Sequence, residues 1–390
     1  MVAKESAAEG AGEGRKASRA GRGSRTGGTS GGAESGARKK ITQSDVARHA
    51  GVSTGIVSSV INGRDYGSIR VSDATRDRVR RSIRELGYVP NIAARNLARG
   101  SNRLIGVFTY QPIFPLESRD FYYEFLIGIE EEAERAGYNL LLVTGSKDRR
   151  SERSIYADGV NSLQLADGSV LIGVNESAQE LSRLTDESYP FVFVGHREIP
   201  GVDLSYVAAD YFGGTVAIVA DLVARGHRRI GFVQSAGGFE GIPGRRAGFR
   251  ASRAELGLTA EETPVLTLGT PAPGAEPEAD ATLPGIADLL RWTAAHGTTA
   301  LVVEVSTDAA AIRAAALAAG LAVPADLALV GLSGTPEQPQ VSDLAELHIP
   351  RREMGQEAVR LLLRLLATPV EAPLRSTLDC GLRTGVTLGP

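Results

Sequence analysis

Along this chain the apolar positions follow two rhythms, and the change comes near residue 100. Beyond it, short unbroken apolar runs occur at 104–108, 140–143, 170–172, 191–194, 230–233, 300–303 and 327–330. Among them lie stretches at 125–136, 214–224, 246–256, 286–295 and 309–319 with the spacing of a helix face. An unbroken run of Val, Leu, Ile and Phe predicts a strand covered on both faces. Alternation of such strands with helices predicts parallel α/β sheets. The 290 residues after position 100 exceed one typical small domain.

Ahead of that region the pattern predicts short helices only. In ITQSDVARHAGVSTGIVSSVIN, residues 41–62, Thr42 stands three before Asp45, the spacing of a helix cap. Val46, Ala47 and Ala50 form a small apolar face, Gly51 suits a turn, and Ser53 caps a second helix whose Val57, Val60 and Ile61 pack inward. Ser72 caps a third helix carrying Val79, Ile83 and Leu86, which Gly87 and Pro90 end. Two short helices joined by a tight Gly-containing turn are the arrangement that lays one helix across a DNA backbone and the next in a major groove. Thr54, Gly55, Ser58 and Ser59 are the outward positions near the start of that second helix, where base contacts are made. A small helical bundle with no nucleic-acid role has the same spacing.

Charge separates these alternatives. The whole chain is −3, but residues 1–40 carry nine Lys or Arg against four Glu and residues 41–100 carry ten Arg against five acids. The remaining 290 residues therefore total −13. A basic front end on an acidic body focuses attraction for phosphate where the short helices lie.

Residues 1–40 are dominated by Gly, Ala, Ser and charge, which predicts a disordered basic tail with no signal or membrane segment. No later run reads as a transmembrane helix, and the expected location is the cytoplasm, at the nucleoid. Cys380, the only cysteine, excludes an intrachain disulfide and suits a reducing compartment. His49, His196, His227, His296 and His348 show no metal-ligand spacing, and no Gly-rich loop matches a nucleotide fingerprint. Neither a metal nor a cofactor is expected. Lacking a nucleophile elbow or a carboxylate pair of defined geometry, the chain is read as no enzyme. A sugar-binding receptor without direct transcriptional control and a carbohydrate-processing enzyme stay open as alternatives.

The segments DVARHAGVS, VSSVING, TRDRVRRSIRELGYVPN, ARNLARG and LIGVF follow one another in order, with GIEEEAERAGYNLLL, ARGHRRIGFV, RRAGFR and AAGLAVPADLALVG further on. In these the chain resembles the LacI/GalR family of bacterial transcription regulators. The resemblance implies an all-α helix-turn-helix headpiece at 41–87, a hinge at 88–100, and a two-lobed periplasmic-binding-protein-like domain at 101–390. Its lobes are expected near 101–197 and 198–331, with C-terminal segments crossing between them. It further implies a repressor, a homodimer or higher oligomer, whose affinity for double-stranded operator DNA is set allosterically by a small sugar-like or related metabolite.

Residue by residue, Thr54 and Gly55 match the base-addressing positions of the family, whereas Ser59 stands where its members usually have Arg. That exchange removes a contact worth about 1–3 kcal/mol of base discrimination. The loop after Gly63 is longer than the family's compact form and offers Arg64 and Arg70 to phosphate. In the hinge, Asn91 caps, Ala94 permits close helix pairing, Arg95 meets phosphate and Leu97 matches the minor-groove wedge. For the effector, the resemblance points to Asp210, Arg245 and Asp308 as polar contacts and to Phe121 and Tyr123 as an aromatic platform. His196 and Arg197 follow a strand at a position expected to face the cleft. Asp210 and Asp308 also suit simple helix caps, and Arg245 an exposed helix start.

Overall fold

The computed structural model describes residues 41–62, 71–89, 100–111, 119–144, 153–173, 177–235, 242–269, 279–333, 343–368 and 372–389. Two compact units divide the chain, the first ending at Pro90 and the second starting at Asn91. This division falls inside the expected 88–100 hinge. The tail at 1–40 lies outside the described residues.

Helices α1 (Gln43–Ala50), α2 (Thr54–Asn62) and α3 (Asp73–Leu86) build the first unit. Thr42 and Asp45 cap α1 reciprocally, each side chain accepting from the other residue's backbone N–H. Gly51 closes α1 at φ 64°, a left-handed conformation that favours glycine. Ser53 Oγ accepts from Ile56 N at 3.4 Å and Ser72 Oγ from Thr75 N at 3.4 Å. The three helices meet on Val46, Val57 and Val79, all fully buried. Each such side chain contributes about 1.5–3 kcal/mol by leaving water. His49 Nδ1 also meets Ser82 Oγ at 3.0 Å, fixing α1 against α3.

The second unit holds two sheets. The first takes β1 (Leu104–Thr109), β2 (Asn139–Val143), β3 (Gly168–Ile172), β4 (Phe191–Val194), β5 (Tyr206–Asp210) and β12 (Arg375–Asp379), in the order β12-β5-β4-β3-β1-β2, all parallel. The second takes β6 (Ile230–Ser235), β7 (Val265–Leu268), β8 (Ala281–Leu283), β9 (Ala300–Val303), β10 (Ala328–Gly331), β11 (Ala345–His348) and β13 (Gly381–Arg383), in the order β13-β11-β10-β9-β6-β7-β8. Only β13 runs antiparallel to its neighbour. Helices α4 (Arg119–Arg135) and α5 (Ala178–Asp186) follow β1 and β3. Helices α6 (Tyr211–Ala224), α7 (Ile242–Leu256), α8 (Ile286–His296) and α9 (Ser306–Ala318) serve the second sheet, and α10 (Arg351–Ala367) follows β11.

The lobe boundary expected at 197/198 requires correction. Strand β5 pairs with β4, so the first lobe runs on to Asp210. Only then does the chain pass to the second sheet. It returns through α10, whose contacts are with α4 and the first sheet. Along β12 it pairs with β5, and at Cys380 it passes to β13.

The return of α10 depends on two glycines. A methyl at Gly128 of α4 would lie 2.8 Å from the Arg352 carbonyl carbon and 3.1 Å from Gln356 N. One at Gly355 of α10 would lie 3.1 Å from Ile129 N. The two helices therefore touch through backbone, and the ion pair of Glu131 with Arg352 seals the crossing from outside. Among the described residues no helix is long and apolar enough to cross a membrane.

Candidate functional site

On the first unit, Thr54 and Gly55 are exposed at the start of α2, and Ser58 is half-buried one turn on. Ser59 departs from the outward placement read from the sequence, being only 3% exposed. A serine side chain reaches barely past the helix backbone, so slight cover from surrounding chain removes it from solvent. Arg78, Arg80, Arg81 and Arg84 are exposed along α3, adding positive charge that the outward positions of α2 lack. Arg64, Arg70, Asn91, Ala94, Arg95 and Leu97 lie outside the described residues.

The second unit gathers its polar groups at the C-terminal ends of the strands, where parallel sheets leave a crevice. Arg245, in the first turn of α7, is not the exposed helix-start charge that the sequence allowed, being 3% exposed. Its guanidinium carbon lies 4.6 Å from the centre of the Tyr211 ring, a cation–π arrangement. Its Nε is buried without a hydrogen-bond partner. Burial holds the Arg245 pKa below its ordinary value. The next residue, a helical step away, behaves differently. Arg246 Nε and Nη2 donate to Glu304 Oε1 and Oε2 at 3.0 and 3.1 Å, and Glu304 is fully buried directly behind β9.

Asp210 ends β5 and caps α6, accepting from Gly213 N at 2.8 Å. Asp308 sits half-buried in the first turn of α9 without capping it. Burial, and then the neighbouring Glu304 charge, hold the Asp308 carboxyl above its ordinary range. Glu304 acts electrostatically on both Arg245 and Asp308, while Arg245 and Asp210 both act on Cys380, whose thiol burial pushes up to about 12. The structure thus links Asp210, Arg245 and Asp308 through Glu304, which the sequence reading passed over, and Cys380, which it named only as the lone thiol. Glu304 left a signal there, as an acid directly behind the apolar run ALVV. The position of Cys380 depends on a chain crossing that leaves no such mark.

The first lobe contributes differently from what the sequence suggested. Tyr123 is 56% exposed on the outer side of α4, beside Leu126, Tyr138 and Leu142, and forms no platform over the strand ends. One residue turns a helix by about 100°, and Tyr122 is the inward neighbour. Its hydroxyl donates to Gln111 Oε1 at 3.1 Å, beyond the end of β1. Phe121 falls in α4 with its side chain outside the described part. Arg153 Nη1 donates to Thr109 Oγ1 and Gln111 O, both at 3.0 Å, and so holds the same end of β1. Arg197 lies over the Phe193 ring and donates to the carbonyls of Gly173 at 2.8 Å and His196 at 2.7 Å. It thereby ties the ends of β3 and β4 together. His196 is exposed, edge-on to Tyr206 and 3.6 Å from Glu198.

Sequence profiles match both units: "Bacterial regulatory proteins, lacI family" over residues 42–91 and "Periplasmic binding protein-like domain" over residues 219–387. The HTH-type transcriptional regulator CelR of Thermobifida fusca is 29% identical over 351 residues, covering 88% of this chain and 97% of that protein. Among solved structures, the lac repressor dimer bound to operator and the anti-inducer ONPF aligns at TM-score 0.62 and 22% identity, over 90% of this chain and 99% of that one. A transcriptional regulator CelR–cellobiose complex aligns at TM-score 0.54 and 24% identity, over 89% and 99%. These structural likenesses establish the fold.

Proposed function

We propose, from the premise that the chain belongs to the lacI family of bacterial regulatory proteins, that it is a transcriptional repressor with a sugar-class metabolite as effector. A capped helix pair beside an arginine-lined third helix, fused to a two-lobed binding body, carries this reading. Thr54, Gly55 and Ser58 are the candidate base contacts, with the arginines of α3 available to phosphate. Arg245 and Asp308 are the candidate effector contacts on the second lobe, with Glu304 buried behind them, and Gln111, held by Arg153 and Tyr122 at the end of β1, is the candidate contribution of the first. The CelR–cellobiose complex and the operator-bound lac repressor support a sugar-class ligand and a DNA partner.

A dimer follows from the face of α4 that α10 does not cover. Tyr123, Leu126, Ile127, Leu140 and Leu142 line an open groove there, with Leu142 37% exposed and Tyr123 56% exposed. The apolar side of α10, including Met354, Ala358, Val359 and Leu362, is already buried within the chain. The α4–β2 groove is therefore the surface that a second copy covers, setting two headpieces on two half-sites. Effector binding that favours one lobe arrangement shifts DNA affinity by linkage. The protein acts in the cytoplasm on the nucleoid, and its role is binding rather than catalysis.

The test is genome-wide capture of bound fragments, followed by titration of the recovered operator with pure protein, with and without a panel of sugars. A single recovered motif, whose affinity changes with one sugar class, is expected. Recovery of fragments with no shared motif sinks the regulator reading, and turnover of a sugar by the pure protein restores the enzyme alternative.

A further inference from the structure

One carboxylate ties down the segment that leads into β1. Both oxygens of Asp167 are engaged: Oδ1 accepts from Asn102 N at 2.6 Å, and Oδ2 accepts from Ser101 Oγ at 2.6 Å and from Arg103 N at 2.8 Å. Two successive backbone N–H groups thus converge on one anion, and charge-assisted hydrogen bonds are the strong ones. Asn102 Nδ2 adds a bond to Leu165 O at 3.0 Å, and Arg103 O accepts from Asn139 N at 3.0 Å. Arg103 holds φ 51°, a left-handed conformation that a non-glycine residue keeps where its surroundings dictate it. Residues 101–103 directly follow the stretch expected to be the hinge, so the chain enters the second unit along one fixed course.

The anchor behind this clasp is rigid. Asp167 immediately precedes β3, which is buried at every position and lies between β1 and β4. A methyl at Gly106 of β1 would lie 3.2 Å from Ser169 Cβ, so the two strands pack without slack. Ser169 Oγ and Tyr189 Oη meet at 2.8 Å, and the Tyr189 hydroxyl donates to Leu163 O at 2.9 Å, bracing the turn that carries Asp167. Two headpieces on one duplex bind as a linked pair, and the second engages at an effective concentration set by the length and stiffness of what joins them. Slack where each hinge is rooted lowers that concentration. We propose that Asp167, a residue of the binding body, is a positioning residue for operator recognition: by fixing residues 101–103 to β3 it holds the two headpieces to the half-site spacing. This rests on the regulator reading and adds to it a residue outside the headpiece.

The experiment compares the unsubstituted full chain with Asp167→Ala and with Asp167→Asn, which matches the shape of the side chain and keeps one acceptor oxygen. Without DNA, amide hydrogen exchange should show protection at Asn102 and Arg103 lost in Asp167→Ala and partly kept in Asp167→Asn. Affinity for the captured operator should fall about tenfold in Asp167→Ala and about threefold in Asp167→Asn, while affinity for random duplex at the same salt, which needs no half-site spacing, stays unchanged. A base pair inserted between the half-sites should weaken the unsubstituted protein more than Asp167→Ala, because slack tolerates wrong spacing. A residue that only supports the fold would not move that spacing preference. Protection retained at both amides in Asp167→Ala, equal losses on operator and random duplex, or lost protection with operator affinity and spacing preference intact overturns the proposal and leaves the regulator reading standing. Recovery of fragments with no shared motif removes that reading and the proposal with it.

Discussion

Replacing Gly128 by alanine puts two opposed effects at one position. Alanine is a better helix former than glycine by about 1 kcal/mol, so an unobstructed exchange in α4 stabilises. The site is obstructed. The new methyl would stand 2.8 Å from the Arg352 carbonyl carbon and 3.1 Å from Gln356 N, and closer still to the Arg352 carbonyl oxygen. These are backbone atoms of α10, so no side chain can swing aside. Ordinary carbon–oxygen contact needs about 3.3–3.6 Å, which obliges the helices to part by roughly 1 Å or more. Overpacking of this kind costs about 1–3 kcal/mol and occasionally more. Separation also stretches the pair between Arg352 Nε and Glu131 Oε2, now 3.0 Å, and the bond from Gln356 Nε2 to Glu131 Oε2, now 2.9 Å. A net loss of about 2 kcal/mol lowers the midpoint of the body's thermal transition by about 3 °C, given its size. Scanning calorimetry on Gly128→Ala and Gly355→Ala measures it. Gly55→Ala is the control, since its methyl would meet nothing nearer than Ser53 Oγ at 3.7 Å, and it should raise headpiece stability. A Gly128→Ala midpoint equal to or above the unsubstituted value refutes the backbone-contact argument.

Three further outcomes are expected. Glu304→Gln removes the charge of a fully buried carboxylate and should destabilise by the lower end of about 3–5 kcal/mol, because its partner Arg246 keeps partial solvent access; an unchanged urea midpoint contradicts this. Asp308 titrates above its ordinary 3.8 when folded, so between that value and the folded one the native state keeps a proton that the unfolded chain has lost, and stability falls as pH rises. Asp308→Asn removes that fall: its stability relative to the unsubstituted protein should improve between pH 3 and pH 7, and a pH-independent difference tells against it. Leu142→Asp, on the open groove of α4 and β2, should give a monomer by sedimentation and weaken operator binding; an intact dimer moves the interface elsewhere.

Most strands that the sequence disclosed are covered on both faces; β2, an equally unbroken run at 140–143, departs from that expectation, with Leu142 37% exposed. Strands β3, β4, β9 and β10 are buried at every position, and each carries an unbroken apolar run, in β3 only over its last three residues. Strand β12, RSTLD, alternates between exposed and half-buried positions at the edge of its sheet, and β13 has only three residues. Neither leaves a periodic signal long enough to read. Yet these two short strands fix the junction between the lobes. Asp379 pairs with Asp210 on β5, and Gly381 pairs with His348 on β11, so Cys380 alone spans from one sheet to the other. Gly214 of α6 receives it, because a methyl there would lie 2.7 Å from Cys380 Cβ and 2.8 Å from Leu347 Cδ1. The same reasoning applies at Ser59. Its identity was plain, but its burial depends on the chain around α2, which no helical periodicity reports. Ser59→Ala should therefore leave operator affinity at matched salt nearly unchanged, while Thr54→Ala should reduce it. The candidate effector residues lie where the chain changes lobes: Asp210 ends the last strand before the first crossing, and Arg245 and Asp210 both act on the thiol of the last. A ligand held at Arg245 therefore sits beside the last of the three crossings that join the two sheets.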